Sequence, residues 1–562
     1  MNKKHCLHIA IAVVLLIVTS RPSTAAAIPN TATLSGTIQA SKPFQAAEVF
    51  VRNVDKNILY MVYTSGGRYR AVNLFPGSYE VSVEKRGFSS PVQKIAIGAG
   101  ESANLNLSLT ELEPDAAGKN AYIGPAAIRE EVSYAPYEEL YPPGPGRKIA
   151  EDTCTYCHGP NLFPRKQWTE KEWNAAIDLM TNPKGPVGAI VSPGKLTPED
   201  RKVLVEYLTK NFGPENKKRV LKLDQDFPLD EKALANAEYI EYYLPMDPKL
   251  DANNKRRVAQ DPHFDSAGNV WYTDRSIPNR VGKVDPRTGE FKDYVLPDPK
   301  GDPHGLTVDG RGHVWWSETR GLHLGRLDPK SGEMTRYSMD VNGAITGGQG
   351  HTPIMDSKQN VWFSVIVGNR IGKWDRLTEK VTLFEPPTPN SFPYGIVRDK
   401  QENIYLAEFT GCKAAKFDVK TEKWTEYVPL TKPCLMRRLS VDSKGTIWYA
   451  LYGGGKIGKI DQKTGKIVEY AMPMPYGEPY DIWPDAHDTM WISDGGQGGA
   501  LIKFDPQTEK FTYYPSPQRT DQPKLEITRD GAIWYCPRSS EHAAVGVLFP
   551  DVTKITTLAA YY

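Results

Sequence analysis

Cysteine is scarce in this chain, with six thiols in 562 residues, which excludes a disulfide-dense scaffold. Beyond the N-terminus no run approaches about eighteen apolar residues, so no later segment reads as a transmembrane helix. Charge of one sign is missing as well. Lys and Arg total 69 against 67 Asp and Glu, a net charge of +2, and no basic tract marks a nucleic-acid or anionic-lipid surface. Residues 159–262 contain neither Cys nor His. A CxxC pair directly before that gap therefore lacks the second ligand pair of a structural zinc site. What remains, 40% apolar and 24% charged, is ordinary globular composition, long enough for roughly three or four domains.

The N-terminus carries Lys3 and Lys4, then the apolar run Ile9–Val18, which is too short to span a bilayer, then Ala25-Ala26-Ala27. This layout is a secretory signal peptide over residues 1–27, cleaved after small residues. The mature protein is expected to be periplasmic or secreted, without a membrane span. Cys6 precedes the apolar run and leaves with the signal.

Cys154-Thr155-Tyr156-Cys157-His158 has the spacing of c-type haem attachment. Each thiol can bond one vinyl group, and His158 then lies where its imidazole can take an axial position on iron. In a reducing compartment the same CxxC could be a redox pair or a zinc half-site; the export signal and the Cys- and His-free stretch favour covalent haem c. Helical signals surround the pentad. Thr169-Glu170-Lys171-Glu172 is a capping box opening a segment that runs to Met180. Thr197-Pro198-Glu199-Asp200 opens another, with Val203, Leu204, Tyr207 and Leu208 at helical spacing and Gly213 as its stop. On the pentad, residues 147–215 resemble the cytochrome c family, which implies a small all-α haem domain. Met180 is the only soft side chain between His158 and the next domain, so it is the candidate sixth iron ligand. An open or externally supplied sixth position is the alternative.

Residues 31–110 alternate apolar and polar positions, as in Ala47-Glu48-Val49-Phe50-Val51 and Tyr79-Glu80-Val81-Ser82-Val83, which predicts a small β-sandwich. The run from Gly67 through Leu74-Phe75-Pro76-Gly77-Ser78-Tyr79, followed by Gly87-Phe88, resembles the carboxypeptidase regulatory-like domain. That resemblance implies a structural or adhesive module. Residues 111–146, interrupted by Pro114, Pro125, Pro136, Pro142, Pro143 and Pro145, read as a semi-rigid linker.

From residue 235 to 562 the chain repeats. Trp271, Trp315, Trp362, Tyr405, Trp448, Trp491 and Trp534 occupy one position, at gaps of 44, 47, 43, 43, 43 and 43. Each follows a short turn and precedes further strand-like segments, so the period predicts a seven-bladed β-propeller. The early segment Tyr239–Pro245 matches the outer strands and is expected to close the ring. The start of each first strand and the end of each second strand should share one face. Around it stand His263 with Asp274, His304 with Glu318, His351 with Ser364, and Tyr394 with Glu408, followed by Arg437, Arg438, Tyr480 with Asp494, and Arg538. Three histidines beside carboxylates can bind a divalent metal or move protons. Cys412 and Cys434 fall on this face in adjacent blades and could pair under oxidising conditions, leaving Cys536 alone.

Pro303-His304-Gly305-Leu306, Pro393-Tyr394-Gly395-Ile396 and Trp315-Trp316-Ser317-Glu318 resemble the virginiamycin B lyase (streptogramin lyase) family of propellers. The resemblance implies magnesium-assisted elimination by histidines and glutamates of that face. Asp302 and Asp274 stand where the family pattern has glutamate. The expected fold is thus multidomain and mainly β: a small β-sandwich, a small all-α cytochrome c-like domain and a seven-bladed propeller. The leading functional expectation is an exported monohaem c-type protein that transfers electrons, its propeller binding a small substrate or a redox partner. The alternatives are a metal-assisted C–O lyase with an accessory cytochrome domain, with His304, Glu318, His351, Asp274 and Glu408 as candidate catalytic residues, or a non-catalytic cell-surface binding protein.

Overall fold

The repeat period becomes a ring of antiparallel sheets. In this computed structural model the described residues are 28–111, 121–123, 130–155, 158–182, 196–222, 227–246, 257–299, 301–345, 348–495, 499–518, 520–537 and 542–562. The signal peptide, Tyr156, Cys157 and Arg538 lie outside them. Six four-stranded sheets follow one another. The first holds Ala259–Phe264, Val270–Asp274, Arg280–Asp285 and Glu290–Val295. The sixth holds Pro479–Pro484, Met490–Asp494, Ala500–Asp505 and Lys510–Pro515. Every second strand, such as Val314–Glu318, is buried throughout, whereas an outer strand such as Met334–Ser338 is only half-buried. The second strand is covered on both faces by neighbouring sheets, which is why it carries tryptophan and β-branched residues.

One hydrogen bond recurs with the repeat. The tryptophan indole donates to an aspartate of the preceding hairpin in Trp271–Asp265 (2.8 Å), Trp315–Asp309 (3.2 Å), Trp362–Asp356 (3.1 Å), Trp448–Asp442 (3.0 Å) and Trp491–Asp485 (3.3 Å). Tyr405 donates to Asp399 in the same way at 2.9 Å. The second oxygen of each aspartate caps the turn itself, as in Asn269 N–H to Asp265 Oδ1 at 3.0 Å. One carboxylate thus closes the hairpin and ties it to the sheet core. In the last repeat Thr528 stands at this position, and Trp534 Nε1 is buried without a hydrogen-bond partner among the described residues.

The last repeat also corrects the expected blade count. Its three strands, Leu525–Ile527, Ile533–Tyr535 and Ala544–Phe549, are joined by Glu238–Tyr243, with Glu238 opposite Phe549 and Tyr243 opposite Ala544. The other edge of Glu238–Tyr243 pairs with Ile58–Tyr63 of the N-terminal domain, Glu238 opposite Val62 and Tyr242 opposite Ile58. This sheet therefore does not end as a blade. It runs on as a 13-stranded sheet, and the propeller has six separate blades where seven were expected. An exposed strand edge has been used for pairing between domains. A single apolar core spans the junction, including Val49, Tyr60 and Val62 on one side and Ile240, Trp534 and Val547 on the other.

The second correction concerns residues 147–215. Five helices occur among the described residues: α1 Tyr137–Leu140, α2 Arg147–Ala150, α3 Glu170–Thr181, α4 Pro198–Phe212 and α5 Glu231–Leu234. Both expected capping boxes are present at α3 and α4. They do not make a clear all-α domain. Glu130–Ala135 and Arg219–Leu221 pair in parallel, Ser133 opposite Arg219, and clip the two ends of the helical segment together. Its core gathers Leu140, Tyr141, Phe163, Trp173, Leu204 and Phe212. The reason is the extended, proline-flanked chain on either side of the helices, which satisfies its backbone by pairing with itself.

Replacing Thr528 with Asp restores the hairpin acceptor of the other repeats and should stabilise the fold by about 1 kcal/mol. Asp356→Ala should destabilise it by about 1–3 kcal/mol, because Trp362 Nε1 is left buried and unpaired. Chemical denaturation of the two variants checks both signs.

Candidate functional site

The inner strands aim a row of rings at the propeller axis. Each first strand carries a register shift near its start, between Gln260 and His263, Pro303 and Leu306, Gly350 and Pro353, Pro393 and Ile396, Met436 and Arg438, and Pro479 and Asp481. Such a bulge redirects a side chain out of the pleat. His304, His351 and Tyr394 occupy these positions in successive blades. The ring centroids of His304 and His351 are 3.9 Å apart, and those of His351 and Tyr394 are 4.1 Å apart. A hydroxyl on each second strand holds the bulge of the next blade. Thr273 Oγ1 donates to the His304 carbonyl at 3.0 Å, Ser317 Oγ to that of His351, and Ser364 Oγ to that of Tyr394 at 2.7 Å. Ser364, expected beside His351, accepts from the Thr352 N–H of its own blade at 3.2 Å and so bridges that blade to the following one.

The two histidines differ in their surroundings. Arg275 donates to Gln260 Oε1 at 3.3 Å, which turns the amide nitrogen of Gln260 toward His304 Nε2 at 3.0 Å. That geometry makes His304 Nε2 an acceptor and places its proton on Nδ1. His351 Nδ1 meets Thr352 Oγ1 at 2.9 Å, while its Nε2 is buried with no hydrogen-bond partner among the described residues. Burial, and then the neighbouring Arg438 charge, push the His351 imidazole below its ordinary range. It is neutral at pH 7.

The carboxylates do not join the histidines. Asp274 lies opposite Ala259 and accepts from Arg257 at 2.6 Å and Arg280 at 3.3 Å. Glu318 accepts from Arg336 of its own outer strand at 2.5 Å and from Trp316 Nε1 at 3.3 Å. Strand alternation places Glu318 with Trp316, on the face opposite Trp315 and Ser317. Glu408 lies opposite Pro393, fully buried, and burial reinforced by the Glu426 charge pushes its carboxyl up to about 8. His263 stands elsewhere than expected. It pairs across from Trp271, beside the hairpin, and contacts Glu526 at 3.1 Å and the Tyr562 hydroxyl at 2.6 Å. Gln260 takes the position in blade one that His304 takes in blade two. Among the described residues no group of three or more His, Cys, Asp or Glu could hold a metal ion. The donor set expected for Mg2+ does not fit, because Asp274 and Glu318 are each committed to arginine.

Three residues of the face, Phe409, Tyr452 and Glu478, escaped the sequence reading. Arg437 donates to the hydroxyls of Tyr394 at 2.7 Å and Tyr480 at 3.2 Å. Its guanidinium stacks on Tyr452 at 4.1 Å, Tyr480 at 4.5 Å and Phe409 at 5.0 Å, a cation held in a box of rings. Tyr452 in turn hydrogen-bonds Glu478, whose carboxyl burial pushes up to about 8. Glu478 meets the helical segment at Gly159, where a Cβ would come within 2.8 Å of Oε1 and nearer still to Oε2. A Pro-Tyr-Gly-Glu turn is an ordinary repeat boundary, so only the position of Gly159 after the haem pentad offers a signal.

That pentad enters from α2, which widens into a π turn over Glu151–Thr155, a distortion common at functional positions. Cys154 is half-buried against the aromatic core, its Sγ 3.3 Å from Thr153 Oγ1. Cys157 lies outside the described residues. His158 is exposed, its ring edge-on to Phe163 at 6.2 Å. Phe163 packs edge-on to Trp173, whose Nε1 is buried with no hydrogen-bond partner among the described residues. Met180 is half-buried near the end of α3. Cys154 thus packs against this aromatic core, and His158 lies exposed at its edge. Elsewhere Cys412 and Cys434 are disulfide-bonded with Cα atoms 5.7 Å apart, joining blades four and five, and Cys536 is a buried thiol.

Residues 252–503 match the virginiamycin B lyase family, and residues 33–110 match the carboxypeptidase regulatory-like domain. The chain thus carries a virginiamycin B lyase-like β-propeller and a carboxypeptidase regulatory-like domain. Among solved structures it is similar to a streptogramin B lyase, at 20% identity and TM-score 0.49 over 56% of this chain and 98% of that one. It is also similar to virginiamycin B lyase from Staphylococcus aureus, at 20% identity and TM-score 0.48 over 55% of this chain and 99% of that one. No curated protein matches the chain.

The raised Glu408 pKa gives a signed pH dependence. Protonated Glu408 favours the fold below the unfolded pKa near 4.5, and that contribution is lost as pH rises toward about 8. Glu408→Gln should therefore gain stability relative to the unsubstituted protein as pH is raised from 5 to 8, roughly independent of salt. Denaturation midpoints across that range check the trend; parallel curves would contradict it.

Proposed function

We propose that the chain is an exported monohaem c-type protein whose propeller face binds the substrate or partner that exchanges electrons with the haem. The observation that carries this reading is the contact between the Cys154–His158 segment and that face, made at Gly159 and Glu478. Covalently bound haem c would supply a one-electron couple at its iron. Cys154 and Cys157 would tether it, and His158, exposed beyond the π turn, would supply an imidazole ligand to its iron. Trp173 Nε1 is a donor suited to an acidic group in the same core. On the propeller, His351 Nε2 can accept a hydrogen bond from a ligand, and Arg438 beside it favours an anionic group. Residues 1–27 would direct export, which makes covalent attachment chemically permissible.

A second reading, a streptogramin-type lyase with an accessory helical segment, is favoured by the family match over residues 252–503. In it His351 or His304 would take the proton in an elimination. This reading is disfavoured by the arginine pairs on Asp274 and Glu318.

Protein made with a cytochrome c maturation system should keep a haem absorbance after acid–acetone extraction and lose it in the Cys154→Ser, Cys157→Ser double variant. An extracted sample without absorbance would remove the proposal. If Met180 is the sixth ligand, Met180→Ala lowers the midpoint potential; an unchanged potential and spectrum dismiss it. Turnover of a streptogramin B that disappears in His304→Ala would instead support the lyase.

A further inference from the structure

We infer that Glu478 is a positioning residue that seats the His158–Gly159 turn on the propeller, so that the haem-attachment motif and the propeller face form one composite site. The inference rests on the haem reading for its functional meaning and on geometry for its substance.

The turn is held from both sides. On the inner side the Tyr141 hydroxyl donates to the Pro160 carbonyl at 2.9 Å, and Gly159 N–H donates to the Thr155 carbonyl at 2.8 Å. On the outer side Glu478 lies against Gly159, which has a φ of 67°. Glycine is required there twice over: the left-handed backbone disfavours a side chain, and a Cβ would overlap the carboxyl. The carboxyl is itself fixed. Glu478 N–H donates to Asp494 Oδ1 at 3.0 Å, its carbonyl accepts from Gly495 at 2.8 Å, and the Tyr452 hydroxyl bonds its side chain. Tyr452 lies under Arg437, which reaches Tyr394 and Tyr480. A second contact fixes orientation. Tyr476 of the propeller stacks on Tyr137 at 6.0 Å with 9° between planes, and Tyr137 stacks on Tyr141 at 5.4 Å. Two separate contacts, two residues apart on the propeller, prevent the segment from swivelling. A change at Arg437 caused by a ligand can therefore reach the turn that carries His158 through Tyr452 and Glu478.

Hydrogen exchange on the full chain tests this directly. Glu478→Ala should accelerate exchange of the amides in residues 158–163 by about tenfold or more, while the blade strands on either side keep their protection. Glu478→Gln, which retains the shape, should restore the slow exchange. In the haem-loaded protein Glu478→Ala should also shift the midpoint potential, a readout that loss of packing elsewhere would leave in place. Gly159→Ala should lower Tm, and adding Glu478→Ala should recover part of the loss because the overlap is relieved. Unchanged protection in Glu478→Ala, or a Gly159→Ala defect of equal size in both backgrounds, overturns the inference. A sample that carries no haem ends only the electron-transfer reading, because exchange and the mutant cycle are measured on the polypeptide.

Discussion

Everything in this molecule depends on one strand, Glu238–Tyr243, being paired on both edges. Its pairing with Ala544–Phe549 closes the propeller ring, and its pairing with Ile58–Tyr63 welds the N-terminal domain onto that closure. Backbone groups that would otherwise face solvent at an edge are satisfied on both sides. Side chains reinforce the junction. Glu241 is buried among the hydroxyls of Tyr243 and Tyr535 and the amide of Gln518, and Glu238 accepts the Val72 N–H at 2.8 Å. The helical segment lies between the N-terminal domain and this strand in sequence, and its own two ends are paired through Glu130–Ala135 and Arg219–Leu221.

That anchoring explains the character of the candidate site. The propeller contributes a face in which His304, His351 and Tyr394 are ordered by hydroxyls of the preceding blades, and in which carboxylates are neutralised by arginines or by protons. The helical segment contributes Cys154 on a π turn and His158 a few residues beyond it. The two meet at Glu478 and Tyr476. A freely tethered haem domain would need no glycine at position 159, no carboxyl closed against it and no ring stack between Tyr137 and Tyr476.

Much of this was legible in the sequence, and the exceptions have physical causes. The tryptophan period announced a propeller because each blade solves the same packing problem with the same local hairpin. The capping boxes at Thr169 and Thr197 announced α3 and α4 because a helix start is decided within four residues. The blade count was not legible, because Ile58–Tyr63, which extends the closing sheet, is remote in sequence and its alternation says nothing of its partner. The pairing of Glu318 with Arg336 and of Asp274 with Arg257 depends on strand register, which the bulges shift. The same shift moved His263 toward the hairpin and put Gln260 in its place. Arg437 and Tyr480 were visible as face residues, but Tyr452, Phe409 and Glu478 enter the site through inter-blade packing that no single repeat encodes.

The central claim is that the Cys154–His158 turn carries covalent haem c and is part of the propeller site. Trypsin releases it as the peptide Ile149–Arg165, bounded by Lys148 and Arg165. Mass spectrometry of that peptide from protein matured in an exporting host measures the claim most directly. The account predicts a peptide heavier by one haem, with both cysteines modified. A peptide at its unmodified mass, or with Cys154 and Cys157 joined only to each other, would contradict it.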